Sequence, residues 1–187
     1  MTRLLLIRHG ETDWNVEGRY QGQSDVPLSE AGRQQARRLA VELRDVPLSA
    51  IYSSDLARAR ETAQMVAEAS GAPLRLDARL REVNQGEWEG RLFDDIRHDY
   101  ADLLQRRRQD PLHVAPPGGE TVLELRSRLI PAVEDIVQAH PRANVALVSH
   151  GLALAVIKAS LNGVPIERVW DLIPGNAEVE WIEVEAG

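Results

Sequence analysis

Short apolar runs separated by stretches of helical periodicity constrain this fold most. Leu4-Leu5-Leu6-Ile7 and Val145-Ala146-Leu147-Val148 are apolar without alternation, the pattern of strands buried on both faces. Ala50-Ile51-Tyr52-Ser53 reads as a second short strand, and a third falls around Leu74–Leu76. Between them the period changes. Ala36, Leu39, Ala40 and Leu43 recur at i, i+3, i+4 and i+7 behind an N-cap at Ser29. Asp55 can cap a helix that turns Ala59, Ala63, Val66 and Ala67 inward and ends near Gly71. Thr121-Val122-Leu123-Glu124 has the capping-box pattern and opens a helix to about Ala139, which Pro131 should kink. Leu152 to Leu161 is the helix after the last buried run. Strands alternating with helices predict an α/β fold with a mostly parallel sheet.

The remaining segments are polar. Gly10 to Leu28 reads as a loop, residues 92–108 as a strongly charged helical stretch, and 110–119, with its prolines and glycines, as another loop. A closing strand, Val179–Val184, is flanked and interrupted by Glu178, Glu180, Glu183 and Glu185, which suits a solvated sheet edge. The Pro-rich loop is too short and central for a linker, so one domain is expected over 1–187.

Both long buried runs end in a histidine followed by glycine: Arg8-His9-Gly10 and Ser149-His150-Gly151. In open α/β sheets the ligand crevice lies beyond the carboxyl ends of the strands. If the two strands are neighbours, both imidazoles face one crevice. His150-Gly151 also starts a helix, whose free N–H groups and dipole favour an anion. A single strand-end histidine is more often structural; two in matching contexts, one behind an arginine, point to a shared site. His98, His113 and His140 lie in polar settings and read as surface residues.

The net charge of −7 argues against nucleic acid or an anionic membrane surface as partner. The absence of cysteine excludes disulfides, thiol catalysis and cysteine-based zinc sites. No stretch approaches the length of a membrane span, and a cytoplasmic protein is expected.

Arg8-His9-Gly10-Glu11-Thr12-x-x-Asn15 resembles the signature of the histidine phosphatase superfamily, in the phosphoglycerate mutase-like branch. Further blocks follow in order. Gly18-Arg19-x-Gln21-Gly22-x-x-Asp25-x-Pro27-Leu28-Ser29 is similar to the phosphatase form of the next segment. Tyr52-Ser53-Ser54-Asp55-Leu56-x-Arg58-Ala59-x-x-Thr62-Ala63 resembles the arginine segment, and Leu80-Arg81-Glu82 with Gly86-x-Trp88-Glu89-Gly90 the acid segment. Val148-Ser149-His150-Gly151 resembles the second histidine segment. Pro116-Pro117-Gly118-Gly119-Glu120-Thr121 resembles a run found in α-ribazole and broad-specificity phosphatases. Gln85 departs from the pattern, where relatives often carry an apolar or aromatic residue.

The resemblance implies a single phosphoglycerate mutase-like domain, three-layer α/β/α, without metal or cofactor. It implies a phosphomonoesterase acting on a small phosphorylated metabolite, with mutase-type phosphoryl transfer as the alternative and a homodimer left open. His9 would be the nucleophile, its other ring nitrogen held by a backbone carbonyl. Arg8 and Arg58 would supply forked donors to phosphate oxygens, with Asn15, Gln21, Gly22 and Gly151 also at the phosphate and His150 donating to the transferring group. Glu82 would be the proton donor. These roles suit the chemistry: phosphoryl transfer needs an in-line nucleophile and positive donors around spread negative charge. Without the motif, Glu82 reads as a salt-bridge partner of Arg79 or Arg81. Arg106-Arg107-Arg108 reads as a solvated helix face, with a pocket-facing role for a second anionic group of the substrate ranked below it. A metal hydrolase using His9, His150 and Glu82 would place a cation beside two arginines. A phosphate-sensing protein without activity would have no need of the full residue set.

Overall fold

The structure, a computed structural model, describes residues 1–185; the expected domain runs on to 187, outside the described residues. Its centre is a five-stranded sheet of order β3-β2-β4-β1-β5. The strands are β1 (Thr2–Arg8), β2 (Ala50–Ser53), β3 (Leu74–Leu76), β4 (Asn144–Ser149) and β5 (Val179–Val184). All pairings are parallel except β1 with the edge strand β5. The expected α/β class with a mostly parallel sheet is what the chain adopts.

Strand alternation divides the core into two layers. Leu4, Leu6, Val145 and Leu147 pack with Leu125, Leu129, Val133 and Ile136 of α6 (Val122–Ala139) and Leu154 of α7 (Gly151–Leu161). Leu5, Ile7, Ala146 and Val148 pack on the other face with Leu39 and Leu43 of α2 (Glu30–Leu43). Ala59, Ala63 and Val66 of α3 (Ala57–Ser70) complete that layer. Both strand faces are covered, so these runs carry no polar alternation. On β5, Glu180 pairs with Lys158 and Glu183 with Arg3.

Local details correct the sequence reading. The Gly10–Leu28 segment contains a short helix, α1 (Asp13–Glu17), with a reciprocal Thr12/Asn15 capping box. Asp55 does not cap α3: the N-cap is Leu56, and Asp55 is drawn into a bidentate pair with Arg81. The orphan N–H of Ala57 donates to Asp25 Oδ1 instead, at 2.6 Å. The charged middle stretch breaks at Tyr100 into α4 (Phe93–Asp99) and α5 (Ala101–Gln109). α6 runs to Ala139 with Pro131 inside it, as expected. No helix among the described residues is long and apolar enough to cross a membrane.

Candidate active site

The register sets the site. Arg8 pairs with Ser149 at the carboxyl ends of neighbouring parallel strands, and the His9 N–H donates to Ser149 O at 3.1 Å. The two imidazoles therefore emerge side by side, ring centroids 5.2 Å apart, where α/β sheets place ligands. His9, His150 and Arg58 are almost fully buried. Arg8, His9, Asn15, Gln21, Gly22, Arg58, Glu82 and Gly151 line one cleft of about 350 Å³.

His9 Nδ1 lies 2.6 Å from Gly10 O. A carbonyl only accepts, so Nδ1 carries the proton and Nε2 is left with its lone pair. Burial, then the charges of Arg58 and Arg8, push the His9 pKa well below the usual imidazole range. The ring is thus neutral near pH 7, the state that can attack an electrophile. His150, the N-cap of α7, is likewise held neutral by burial and by Arg58.

The donors are fixed from behind. Arg58, in the first turn of α3, donates to Ser24 O at 2.8 Å and Gly22 O at 2.7 Å. Burial lowers its pKa to about 10, so it stays cationic at neutral pH. Gly22 has φ +54°, and a Cβ there would lie 2.1 Å from Glu89 Oε1, so only glycine fits. Arg8 Nη1 donates to Pro174 O at 2.5 Å. Gln21 Oε1 accepts from the Thr12 hydroxyl. Asn15 Oδ1 accepts from Thr12 N–H at 3.1 Å and from Asn176 Nδ2 at 3.3 Å, so its amide NH₂ is the end free to donate. Asn176, which also donates to His9 O, escaped the sequence reading because Gly175-Asn176 signals only a turn before β5.

Beside these groups, several buried nitrogens have no hydrogen-bond partner among the described residues: Arg8 Nε, Arg58 Nε, both His150 ring nitrogens, and Arg107 Nε and Nη2. Buried polar groups are ordinarily satisfied, and here the unpartnered guanidinium N–H groups of Arg8, Arg58 and Arg107 belong to residues that line one cleft.

Glu82 is not the salt-bridge residue of the simpler reading. Arg81 pairs with Asp55, and Arg79 with Asp77 and Asp135. The Glu82 carboxylate accepts from Leu152 N–H at 3.1 Å and Ala153 N–H at 3.0 Å. The anion at the N-terminus of α7 is therefore this side chain, which takes those two of the N–H groups expected for a ligand.

Within the arginine run, Arg107 differs from its expected place, whereas Arg106 and Arg108 are exposed as a solvated face would be. Arg107 is 3% exposed. It stacks 5.5 Å from the ring centroids of both Trp88 and Trp170, donates to Gln85 Oε1 at 3.0 Å, and with Arg108 lines the cleft. Gln85, the departure from the family pattern, is thus the partner of a buried guanidinium. Of the other histidines, His98 and His113 are exposed. His140 is half-buried, with Nε2 3.0 Å from Tyr52 Oη.

Loss of one charge-stabilising donor commonly costs ~10²–10³ in rate. Arg58→Ala is therefore expected to lower kcat/KM by about that factor, and Arg106→Ala by less than ~3-fold. Steady-state kinetics on both variants checks this, and equal losses would contradict the assignment.

Residues 4–187 match the model of the histidine phosphatase superfamily (branch 1), and the chain belongs to that family. It is 38% identical over 165 residues to the probable phosphoglycerate mutase GpmB of Escherichia coli K12/DH10B, covering 88% of this chain and 77% of that protein. It is 35% identical over 185 residues to phosphoserine phosphatase 1 of Hydrogenobacter thermophilus, covering 99% and 88%. The mycobacterial glucosyl-3-phosphoglycerate phosphatase Rv2419c, solved in complex with VO3, superposes with a TM-score of 0.90 at 37% identity, covering 97% of this chain and 90% of that one.

Proposed function

We propose that this chain is a cytoplasmic, metal-independent phosphomonoesterase that hydrolyses a small phosphorylated metabolite through phosphohistidine on His9. One observation carries the reading: a buried neutral imidazole, its Nδ1 held by Gly10 O, lines a cleft with Arg8 and Arg58, each of which keeps a buried Nε unpartnered, and its ring centroid lies 5.2 Å from that of His150. His9 Nε2 attacks phosphorus, the P–O bond to the leaving group breaks, and Glu82 protonates the departing oxygen. Water then displaces the phosphoryl group from Nε2, passing its proton to Glu82, and inorganic phosphate leaves. Arg8, Arg58, Asn15 and His150 hold the non-bridging oxygens, with Gln21, Gly22 and Gly151 at the rim of that pocket. The phosphatase reading is preferred to the mutase one because the Gln21-Gly22-x-x-Asp25 and Gly86-x-Trp88-Glu89-Gly90 segments resemble the phosphatase forms.

Arg107 supports a narrower substrate class, phosphomonoesters with a second anionic group. Its Nε and Nη2 are buried and unpartnered in the wall of the same cleft. Phosphoserine and the phosphoglycerates, named for the relatives above, each carry a carboxylate. Arg107→Met should raise KM for such an ester about 10–100-fold, roughly one charge-assisted hydrogen bond, with little change for nitrophenyl phosphate. An equal change for both would remove the second-anion reading.

A kinetic screen of phosphomonoesters, phosphoglycerates included, with and without EDTA, tests the activity. Hydrolysis unchanged by the chelator is expected. Activity lost with EDTA and restored by a divalent ion, or net transfer between phosphoglycerate positions without release of phosphate, would overturn the proposal.

A further inference from the structure

We infer that Arg128, on α6, is a positioning residue for Glu82; the inference rests on the reading of Glu82 as proton donor. Every N–H of its guanidinium is committed. Nε donates to Glu120 Oε1 at 2.9 Å, and Nη2 to Glu120 Oε2 at 2.8 Å. Nη2 also donates to the backbone carbonyl of Glu82 at 2.7 Å. Nη1 donates to Arg81 O at 2.7 Å and Arg79 O at 2.9 Å. One rigid fork thus gathers three carbonyls of the acid-bearing segment. It is oriented in turn by a carboxylate that accepts from Asn84 N–H at 2.8 Å, on the far side of Glu82. The backbone closes the same loop, with Glu120 N–H donating to Asn84 O at 2.8 Å.

Glu82 lines the cleft, and Arg128 of α6, which does not, holds its backbone carbonyl. The Glu82 carbonyl is held from a second direction by Gln23 Nε2 at 3.1 Å. A lysine, with a compact ammonium on a flexible stem, cannot bind three carbonyls and a carboxylate in one plane. The competing account is purely structural: Arg128 caps the 3₁₀ turn Ala78–Leu80, whose final carbonyls need partners. That account explains the bonds to Arg79 and Arg81. It does not require the bond to Glu82 itself or the Glu120 brace to Asn84.

The two accounts differ in which substrates suffer. A displaced acid harms only the step that needs its proton, and misplacement by about 1 Å can cost ~10²-fold. Phosphoenzyme formation should be measured in single turnovers with an alkyl phosphate and with nitrophenyl phosphate. The variants are Arg128→Gln, Glu82→Gln and the double variant. Arg128→Gln is expected to slow the alkyl ester ~10²-fold and nitrophenyl phosphate less than ~3-fold. Added to Glu82→Gln it should cause no further loss on the alkyl ester. Should Arg128→Gln fold poorly, Glu120→Gln keeps the shape and removes the charge that orients the fork; the same split between substrates is expected. Equal losses on both esters, or additive losses in the double variant, would make Arg128 a fold-stabilising cap and overturn the inference. If Glu82→Gln alone slows both esters equally, the acid reading itself fails, and that arm reports it separately.

Discussion

His9→Ala is expected to abolish turnover of every phosphomonoester, whatever its leaving group. Removing the nucleophile from a covalent mechanism leaves only the binding and electrostatic terms, and such losses reach on the order of 10⁶-fold in kcat. His150, the neighbouring ring, is also neutral, but no carbonyl holds its Nδ1 as Gly10 O holds that of His9, so its lone pair is not fixed on one nitrogen. The fold should survive. His9 contributes one side-chain bond, to Gly10 O, and its backbone bonds to Ser149 and Ala177 remain. Steady-state assays with a circular-dichroism control check this. Residual activity within ~10-fold of the parent would mean that water attacks phosphorus directly.

The second large effect is selective. Glu82→Gln should slow phosphoenzyme formation from an alkyl phosphate by ~10²–10⁴-fold, the usual worth of general acid catalysis. Nitrophenyl phosphate, whose leaving group departs without a proton, should be slowed far less. The glutamine amide cannot accept from both Leu152 and Ala153 N–H as the carboxylate does, so some rearrangement at the start of α7 accompanies the substitution. That disturbance would affect both substrates equally, which is why the ratio between them is the informative quantity. The comparison belongs on the first turnover, since Glu82 is also proposed to take the proton of the attacking water. Equal losses would remove Glu82 from the acid role.

Much of this was legible in the sequence because the signals are local. Two buried runs ending in His-Gly, at His9 and His150, locate a crevice as soon as the strands are neighbours, and the parallel pairing of β1 with β4 makes them so. Arg58 was legible from its motif block, in the first turn of a helix. What was not legible depends on distant partners. Asp55 looks like the cap of α3, yet Arg81 takes it and Asp25 serves the helix instead. Arg107 sits in an exposed-looking run of charge, and only the approach of Trp88, Trp170 and Gln85 buries it. Asn176 holds Asn15 from 161 residues away. Periodicity reports which face of a helix turns inward, but not which side chain from another segment meets it.

The central claim is covalent: phosphorus is bonded to His9 Nε2 during turnover. Rapid quenching during hydrolysis, followed by mass spectrometry of the peptide that contains His9, tests it directly. The account predicts a phosphate on His9 that is stable in base and labile in acid, forms no more slowly than product appears, and is missing from His9→Ala. Turnover at the full rate with no phosphorylated protein at any time, or with the phosphate on another residue, would contradict it.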